Sequence, residues 1–277
     1  MKLKEKSVEC IGNISEVTLW IIDIPSNFPF ISFGKFGGSI LGNDAIIVSK
    51  YLLTQGYSIK CQLLDPTYED IDSAINILGA NTIIIVGGSS TKSLTRSLCI
   101  ESLSGTRSWV FSRRLNLQAP LYHTSAEIIY IDYYPELQAY LDNQLKYIVN
   151  TKQTVYFNLS TFNNSIPNLP IKPTVVQVSC SSGIDQEEAS VLALRLLKQT
   201  KSDKVVVTLA KNGAVLAKDG ISWHCKPSVN LNGIILGAGA LFSSEMIIGL
   251  LNGYDNAILL EWAVGNTAKK LGDISKL

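Results

Sequence analysis

The chain has 277 residues, of which 46% are hydrophobic and 17% charged, enough apolar side chain for a large buried core. Its 24 basic and 23 acidic residues are interspersed and leave a net charge of +1, so we expect no basic face and no nucleic-acid partner. No apolar run reaches about 18 residues, so we expect no membrane-spanning helix.

Apolar strand-like runs alternate with helix-like segments along the chain, a pattern that predicts a mostly parallel sheet covered by helices on both faces. We find no repeat and no linker, and therefore predict a single domain over 1–277. In chain order we predict strand 8–13, helix 44–54, strand 57–63, helix 68–78, strand 81–86, a hairpin within 94–111, strand 128–132, helix 135–147, strands 154–159 and 174–178, helix 185–198, strand 204–209, a hairpin of 214–217 and 221–224, and helices 240–251 and 256–271.

The cysteines and histidines limit the chemistry. The five cysteines are widely separated, odd in number and never spaced C-x-x-C, which is typical of reduced thiols and favours a cytoplasmic location. With only two histidines, a metal site built from His and Cys is not expected, and we predict no metal ligands.

The most informative segment is Gly237-Ala238-Gly239-Ala240, which precedes an apolar helix. The first N–H groups of a helix and its dipole favour an anion, and glycine permits close approach of the backbone to a phosphate. Gly237, Ala238 and Gly239 therefore predict an anion hole, or alternatively a tight turn that packs the helix on the sheet. Ala240 leaves the position beside this turn without a carboxylate.

The order of elements from 204 onward carries a resemblance to a known family. A strand, the segment Thr208-Leu209-Ala210-Lys211-Asn212-Gly213-Ala214, a hairpin, a Gly-Ala-Gly turn and two helices follow one another. This succession resembles the ribokinase, or PfkB, family of carbohydrate and nucleoside kinases. In the N-terminal half, Gly12, the pair Gly37-Gly38 and the helix after Asn43 are similar to the family's first strand and substrate-binding glycines.

The resemblance implies a ribokinase-like three-layer α/β/α sandwich, with a small lid from about 21–36 and 94–111 that we predict to be reduced. It implies transfer of a phosphoryl group from ATP, with Mg²⁺, to a sugar or nucleoside hydroxyl. By position in the family pattern, the implied site residues are Gly37, Gly38 and Asn43 for the substrate, Gly237, Ala238 and Gly239 for the phosphoryl group, and Thr208, Lys211, Gly213 and Asn266 for the nucleotide.

Plain structural roles compete with several of these assignments. Asn43 is also a good helix N-cap, and the residues around Lys211 also fit an exposed turn. Both interpretations of each segment stay open at this point.

The chain departs from the family pattern at the positions that carry its chemistry. Ala240 occupies the place of the catalytic aspartate, so the base position is vacant, and Ile234 and Ile235 replace an aspartate and a threonine before the turn. Ser179-Cys180-Ser181-Ser182 stands where the family has Asn-x-x-Glu, and Glu16 lies one residue from the place of the early substrate-binding aspartate. These changes predict that phosphoryl transfer is weak or lost, because a general base alone contributes about a hundredfold to ten-thousandfold.

Three hypotheses for function follow. The first is a kinase-fold protein with a degenerate site that still binds a nucleotide, an anion or a small ligand. The others are a non-enzymatic interaction or scaffold protein, and an active sugar kinase with a relocated base. A homodimer or a protein partner is left open. If the rest of the site is intact, the resemblance implies that Ala240→Asp restores some turnover.

Overall fold

The three-dimensional description of the chain comes from a computed structural model. It describes residues 6–22, 34–88, 95–102, 107–111, 115–150, 152–161, 168–180, 184–228 and 237–274. Some predicted features lie outside these residues: the hairpin turn at 104–106, Ser181, Ser182, Ile234 and Ile235.

A nine-stranded sheet forms the centre of the described structure. Its spatial order is β13-β12-β11-β10-β9-β8-β1-β4-β5, and all neighbouring strands are parallel except the hairpin strands β12 and β13. The strands of this sheet are β1 Ser7–Gly12, β4 Ser58–Leu64, β5 Ile83–Val86, β8 Ile128–Asp132, β9 Thr154–Thr161, β10 Val175–Ser179, β11 Lys204–Thr208, β12 Ala214–Lys218 and β13 Ile221–Cys225.

Helices cover both faces of this sheet, as the alternation of strands and helices predicts. Helices α1, α2, α5 and α6 contribute to the apolar cluster on one face, whereas α3 and α4 pack on two clusters of the opposite face. The helices are α1 Asp44–Thr54, α2 Tyr68–Leu78, α3 Pro135–Ile148, α4 Gln186–Thr200, α5 Ala238–Leu251 and α6 Asn256–Ile274. The predicted three-layer α/β/α sandwich is confirmed.

Local sequence explains where several elements begin. Thr67 and Asp70 form a reciprocal capping box at the start of α2, and Asp185 and Glu188 do the same for α4. β8 is buried along its whole length, which matches the apolar composition expected of a parallel strand with helices on both sides. Strand β5 begins at Ile83 and is shorter than the predicted strand 81–86, because Ala80–Thr82 forms a 3₁₀ turn before it.

A second sheet of four strands lies beside the large one and includes more of the chain than the predicted lid. Its order is β3-β2-β6-β7, with β2 parallel to β6 and the other pairs antiparallel. These strands are β2 Glu16–Ile22, β3 Gly34–Leu41, β6 Arg96–Ser102 and β7 Arg107–Phe111. The sequence pattern misses β2, because only three residues separate it from β1, and the lid therefore includes residues before the predicted segment 21–36. We call this sheet the lid.

In the described residues, no helix is both long and apolar enough to cross a membrane.

Candidate functional site

Three polar side chains form a row across the centre of the large sheet. Asp132 of β8 is the register partner of Asn158 in β9, and Asn158 is the partner of Gln177 in β10. Each is at most 1% exposed. Because side chains alternate between the faces of a strand, all three share the face of Tyr130 and Tyr156, which belong to the cluster under α1 and α5. The row therefore lies beneath the helices that the sequence associates with ligand binding.

Asp132 caps the first turn of α1 from the sheet. Its Oδ2 accepts a hydrogen bond from the N–H of Ala45 at 2.9 Å. Gly12, at the end of β1, makes this approach possible: a Cβ added to Gly12 would lie 2.6 Å from Oδ2 of Asp132 and 2.7 Å from Cβ of Ala45. One orphan N–H of the helix is thus satisfied by a neighbouring strand.

The prediction of Asn43 as the N-cap of α1 is confirmed for its position but not for its side chain. Asn43 occupies the N-cap position, but its side chain makes no capping bond. Its Nδ2 donates to Oδ1 of Asn13 at 2.7 Å, and its Oδ1 accepts from the hydroxyl of Ser15 at 3.0 Å. The amide turns away from the helix because Asn13 and Ser15, between β1 and β2, offer it both an acceptor and a donor. Its assignment to the substrate stays a prediction.

The same polar cluster connects the large sheet to the lid. The hydroxyl of Ser15 lies 3.0 Å from that of Ser97 in β6, and both side chains are buried. The backbone adds two bonds at this junction, from N–H of Glu16 to the carbonyl of Thr95 and from N–H of Gly42 to that of Ser15. The first turn of α1 is therefore joined to both sheets.

Asp44, the first residue of α1, carries a partly exposed carboxylate that two side chains orient. Its Oδ2 accepts hydrogen bonds from the hydroxyl of Tyr134 and from Nδ2 of Asn158, each at 2.7 Å. Asn158 also donates to the hydroxyl of Tyr130 at 2.8 Å. The sequence analysis missed these residues. The sequence feature that could have indicated them is a polar residue, Asp132 or Asn158, at the end of an apolar strand.

Two carboxyl groups in this arrangement influence each other. Burial raises the pKa of Asp132 well above its usual range, and the negative charge of Asp44 raises it further. The N–H of Ala45 and the hydroxyls of Tyr130 and Tyr134 oppose this shift. Burial also raises the pKa of Tyr134, with Asp132 and Asp44 adding to the effect. The phenol therefore stays protonated and able to donate to Asp44.

The first turn of α5 lies next to the other end of the polar row. Nε2 of Gln177 donates to the carbonyl of Gly239 at 3.4 Å, and the Ser243 hydroxyl lies 3.0 Å from both that carbonyl and Oε1 of Gln177. Gly237 has φ +82°, a left-handed conformation that favours glycine. Gly239 has no such requirement, and a Cβ added there would meet no described atom within 4 Å.

Ala240 lies one residue further along and is fully buried. It belongs to the apolar cluster that includes Ala45, Phe242 and Met246. Glu245 does not take the place of the missing carboxylate. Its side chain lies between α5 and α1, where it accepts a hydrogen bond from the hydroxyl of Tyr51. Burial raises the pKa of Glu245, and hydrogen bonds from Tyr51 and Trp262 and the charge of Lys270 oppose the shift.

The residues predicted for the nucleotide are only partly brought together. Thr208 donates to the Ser179 hydroxyl at 3.0 Å, two residues beyond Gln177 on β10. Lys211 is exposed in a 3₁₀ turn and Asn266 is partly exposed in α6; across the described ranges, no side-chain hydrogen bond joins either residue to Thr208. Gly213 has φ +90° and packs against Cys225, so packing already requires glycine there. The four assignments stay predictions.

The predicted substrate glycines lie in the lid. Gly38 pairs with Leu19 across β2 and β3, and Gly37 is the extra residue at a shift of register between these strands. The pair therefore lies inside a strand before Gly42, the turn that leads into α1. In the part of the chain that the structure describes, no group of three or more His, Cys, Asp or Glu side chains could hold a metal ion.

Comparison with solved structures identifies the fold. Ribokinase from Cryptococcus neoformans in complex with ADP matches with a TM-score of 0.69 and 14% identity over 95% of this chain and 92% of its own. The fold is ribokinase-like. A Burkholderia thailandensis nucleoside kinase in complex with inosine gives a TM-score of 0.69 at 12% identity, covering 96% and 90% of the two chains. Arabidopsis thaliana ribokinase complexed with ribose and ATP gives 0.64 at 15% identity, covering 96% and 92%.

Sequence comparison adds nothing to this assignment. No protein-family model matches the chain, and no curated protein matches it. The ribokinase-like fold is thus established by three-dimensional likeness, at identities too low to carry over an activity.

Because Ala240 is buried, we expect an aspartate at this position to destabilise the protein rather than to restore turnover. We expect Ala240→Asp to lower the free energy of unfolding by about 2 kcal/mol, because burying a carboxyl group costs more than the helix dipole offsets. Burial would raise the pKa of the new group, so the loss should be smaller at about pH 5 than at about pH 8. Urea unfolding at both pH values measures this. We also expect no gain in sugar-dependent ADP release.

Ala238→Asp is the matched control. Ala238 lies in the same helical turn but is partly exposed, so its carboxylate would gain the dipole interaction without burial and should change stability by less than about 1 kcal/mol. Equal unfolding midpoints for the two variants would show that position 240 is open to solvent.

Proposed function

We propose that this protein binds a sugar or nucleoside at the junction between the large sheet and the lid, and that its phosphoryl transfer is weak or absent. The observation that carries the proposal is the partly exposed Asp44 carboxylate, which Tyr134 and Asn158 hold in place, while Ala240 is buried and provides no carboxylate. An oriented carboxylate accepts hydrogen bonds from hydroxyl groups, which such ligands carry in number. Phosphoryl transfer would need a base within hydrogen-bond distance of the hydroxyl.

Solved structures with the same fold support this ligand class. The Arabidopsis ribokinase structure contains ribose and ATP, and the Burkholderia nucleoside kinase structure contains inosine. Within our chain, Asn43 and the glycines Gly37 and Gly38 lie on the segment that leads from the lid into α1. We propose that this segment contacts the same ligand.

The phosphates of ATP are proposed to bind at the first turn of α5. A ligand could approach the backbone at Gly239, since a methyl there would meet no described atom within 4 Å, and the first N–H groups of a helix favour an anion. Thr208, Lys211, Gly213 and Asn266 are proposed for the remainder of the nucleotide. The described residues hold no cluster suited to Mg²⁺, so we propose that any metal would be bound mainly through ATP itself.

Calorimetric titration tests the proposal directly. ATP, with and without Mg²⁺, and then ribose and inosine, are titrated into the protein, and ADP release is assayed with each sugar or nucleoside. We expect ribose or inosine, or both, to bind. We also expect the protein to release ADP no faster with the bound sugar or nucleoside than without it. No binding of any ligand would contradict the proposal and favour a scaffold. Ligand-dependent ADP release would favour a kinase with a relocated base.

Gly239→Ala distinguishes an anion hole from a packing turn. Because packing does not require glycine at 239, we expect the variant to be more stable by up to about 1 kcal/mol. If a phosphate approaches this backbone closely, ATP affinity should fall about tenfold, which corresponds to about 1.4 kcal/mol. Urea unfolding and ATP titration measure the two effects.

Gly272→Ala serves as the matched control, since Gly272 lies in α6 and an added Cβ meets no described atom within 4 Å. It should give a similar gain in stability and leave ATP affinity unchanged. Unchanged ATP affinity in Gly239→Ala as well would place the nucleotide elsewhere.

A further inference from the structure

One carboxyl oxygen of Asp132 is buried and, among the described residues, has no hydrogen bond of normal geometry, although the hydroxyls of Tyr130 and Tyr134 are close enough to oppose the rise in its pKa. Oδ2 is bound by the N–H of Ala45, whereas no hydrogen bond of normal geometry reaches Oδ1 in the described part of the chain. The residue is 0% exposed, so bulk water does not compensate. A charge in such a place is far more costly than a neutral carboxyl group, because burial disfavours the charged form.

Asp44 is in the opposite situation. It is partly exposed, and its Oδ2 receives two donors, the hydroxyl of Tyr134 and the amide of Asn158. Donors to a carboxylate favour its charged form. Two neighbouring carboxyl groups with such different surroundings resolve their repulsion by placing one proton on the buried member.

Among the residues that the structure describes, the other titratable groups that act on Asp132 carry no positive charge. On the same face of the sheet these are the phenols of Tyr130 and Tyr134 and the thiols of Cys10 and Cys61, whose pKa values burial raises. The carboxylate of Glu9 points to the opposite face, where it is bound by Gln62. After burial, the charge of Asp44 is therefore the main contribution, among the described residues, to the raised pKa of Asp132.

We infer that Asp132 and Asp44 hold a single proton between them, carried by Asp132, and that Asp132 is a positioning residue for Asp44. The neutral carboxyl group accepts the N–H of Ala45 and so fixes the first turn of α1, on which Asp44 lies. Ionisation of Asp132 would place a second negative charge beside Asp44 and disturb that turn. Only the idea that Asp44 then binds a hydroxyl group of a ligand rests on the proposed function.

The direction of the pH dependence follows from the raised pKa of Asp132. A group whose folded-state pKa lies above its unfolded value contributes stability that is present at low pH and is lost as pH rises through the folded-state value. Asn at this position resembles the protonated acid, because it is neutral and keeps an acceptor for Ala45. Asp132→Asn should therefore remove this part of the pH dependence.

Infrared difference spectroscopy at neutral pH tests the shared proton without any ligand. The wild-type spectrum should contain a protonated-carboxyl C=O band that is missing from Asp132→Asn. The urea midpoint of Asp132→Asn should match that of the wild type near pH 6, whereas Asp132→Ala, which lacks the acceptor for Ala45, should unfold at lower urea. Absence of the band from the wild type, or equal losses in the two variants, would overturn the inference.

Asp44→Asn provides a second test should Asp132→Asn fail to fold. Without the neighbouring charge, Asp132 should ionise at lower pH, so its infrared band should disappear earlier in a pH titration than in the wild type. A titration that is unchanged in Asp44→Asn would also overturn the inference.

Titration with inosine tests the positioning role. Asp132→Asn should retain the affinity of the wild type, and Asp132→Ala should lose about tenfold. An equal affinity in all three proteins would exclude a positioning role. If the wild type binds neither inosine nor ribose, the proposed function fails, whereas the infrared result still decides the shared proton.

Discussion

Gly12→Ala is expected to lower the free energy of unfolding by about 3 kcal/mol and to abolish the proposed binding of a sugar or nucleoside beside α1. The added methyl would lie 2.6 Å from Oδ2 of Asp132 and 2.7 Å from Cβ of Ala45. Both neighbours are fully buried, one on the central sheet and one on the first turn of α1, so neither has free space to occupy. Relief of the clash would separate Asp132 from the N–H of Ala45 and displace Asp44.

Urea unfolding and inosine titration measure these two losses, and Gly88→Ala is the control. Gly88 follows β5, is exposed, and an added Cβ would meet no described atom within 4 Å. It should change stability by less than about 0.5 kcal/mol and leave binding intact. If Gly12→Ala unfolds at the same urea concentration as Gly88→Ala, the contact between β1, β8 and α1 is looser than described.

Gly213→Ala is expected to have the largest effect on stability, on the order of 4 kcal/mol. Gly213 adopts φ +90°, which side chains disfavour, and its added Cβ would overlap the carbonyl oxygen of Cys225 and lie 2.9 Å from Cα of Lys226. These are backbone atoms of the neighbouring hairpin strand, so the clash cannot be relieved by turning a side chain. The end of β13 would have to separate from the start of β12, with loss of the pairing of Ala214 with Cys225.

Gly220→Ala separates backbone strain from this clash within the same hairpin. Gly220 has φ +78°, but an added Cβ there meets no described atom within 4 Å. We expect a loss of about 1 kcal/mol from the left-handed conformation alone. Thermal and urea unfolding of both variants give the comparison. Similar losses in the two would show that the close approach to Cys225 is relieved at little cost.

Much of the architecture could be predicted from local patterns. β8 and β11 are short apolar runs flanked by polar residues, and α4 begins at Asp185 with its acidic first turn, so their types and approximate limits follow from composition and capping. Strand β2 is not predicted, because it follows β1 after only three residues and a pattern of alternation does not show that the chain changes sheets there.

The polar site was predicted less well, because it depends on register. Asp132, Asn158 and Gln177 are separated along the chain and become neighbours only when β8, β9 and β10 pair in the observed alignment. A shift of one residue would turn each side chain to the other face of the sheet. Asn43 illustrates the same limit. Its residue type suits an N-cap, but Asn13 and Ser15 provide better partners once the strands are in place.

The sequence by itself determined the succession of strands and helices, the resemblance to the ribokinase family and the absence of a carboxylate at 240, since these depend on residue type and local order. Only the tertiary structure decided that Asp132 binds the first turn of α1 next to Asp44, that Ala240 is buried, and that glycine is required by packing at 12 and 213 but not at 239. The physical reason is that burial and close contact are set by segments far apart in the chain. The same contacts carry the inferred proton on Asp132 and the proposed ligand site at Asp44.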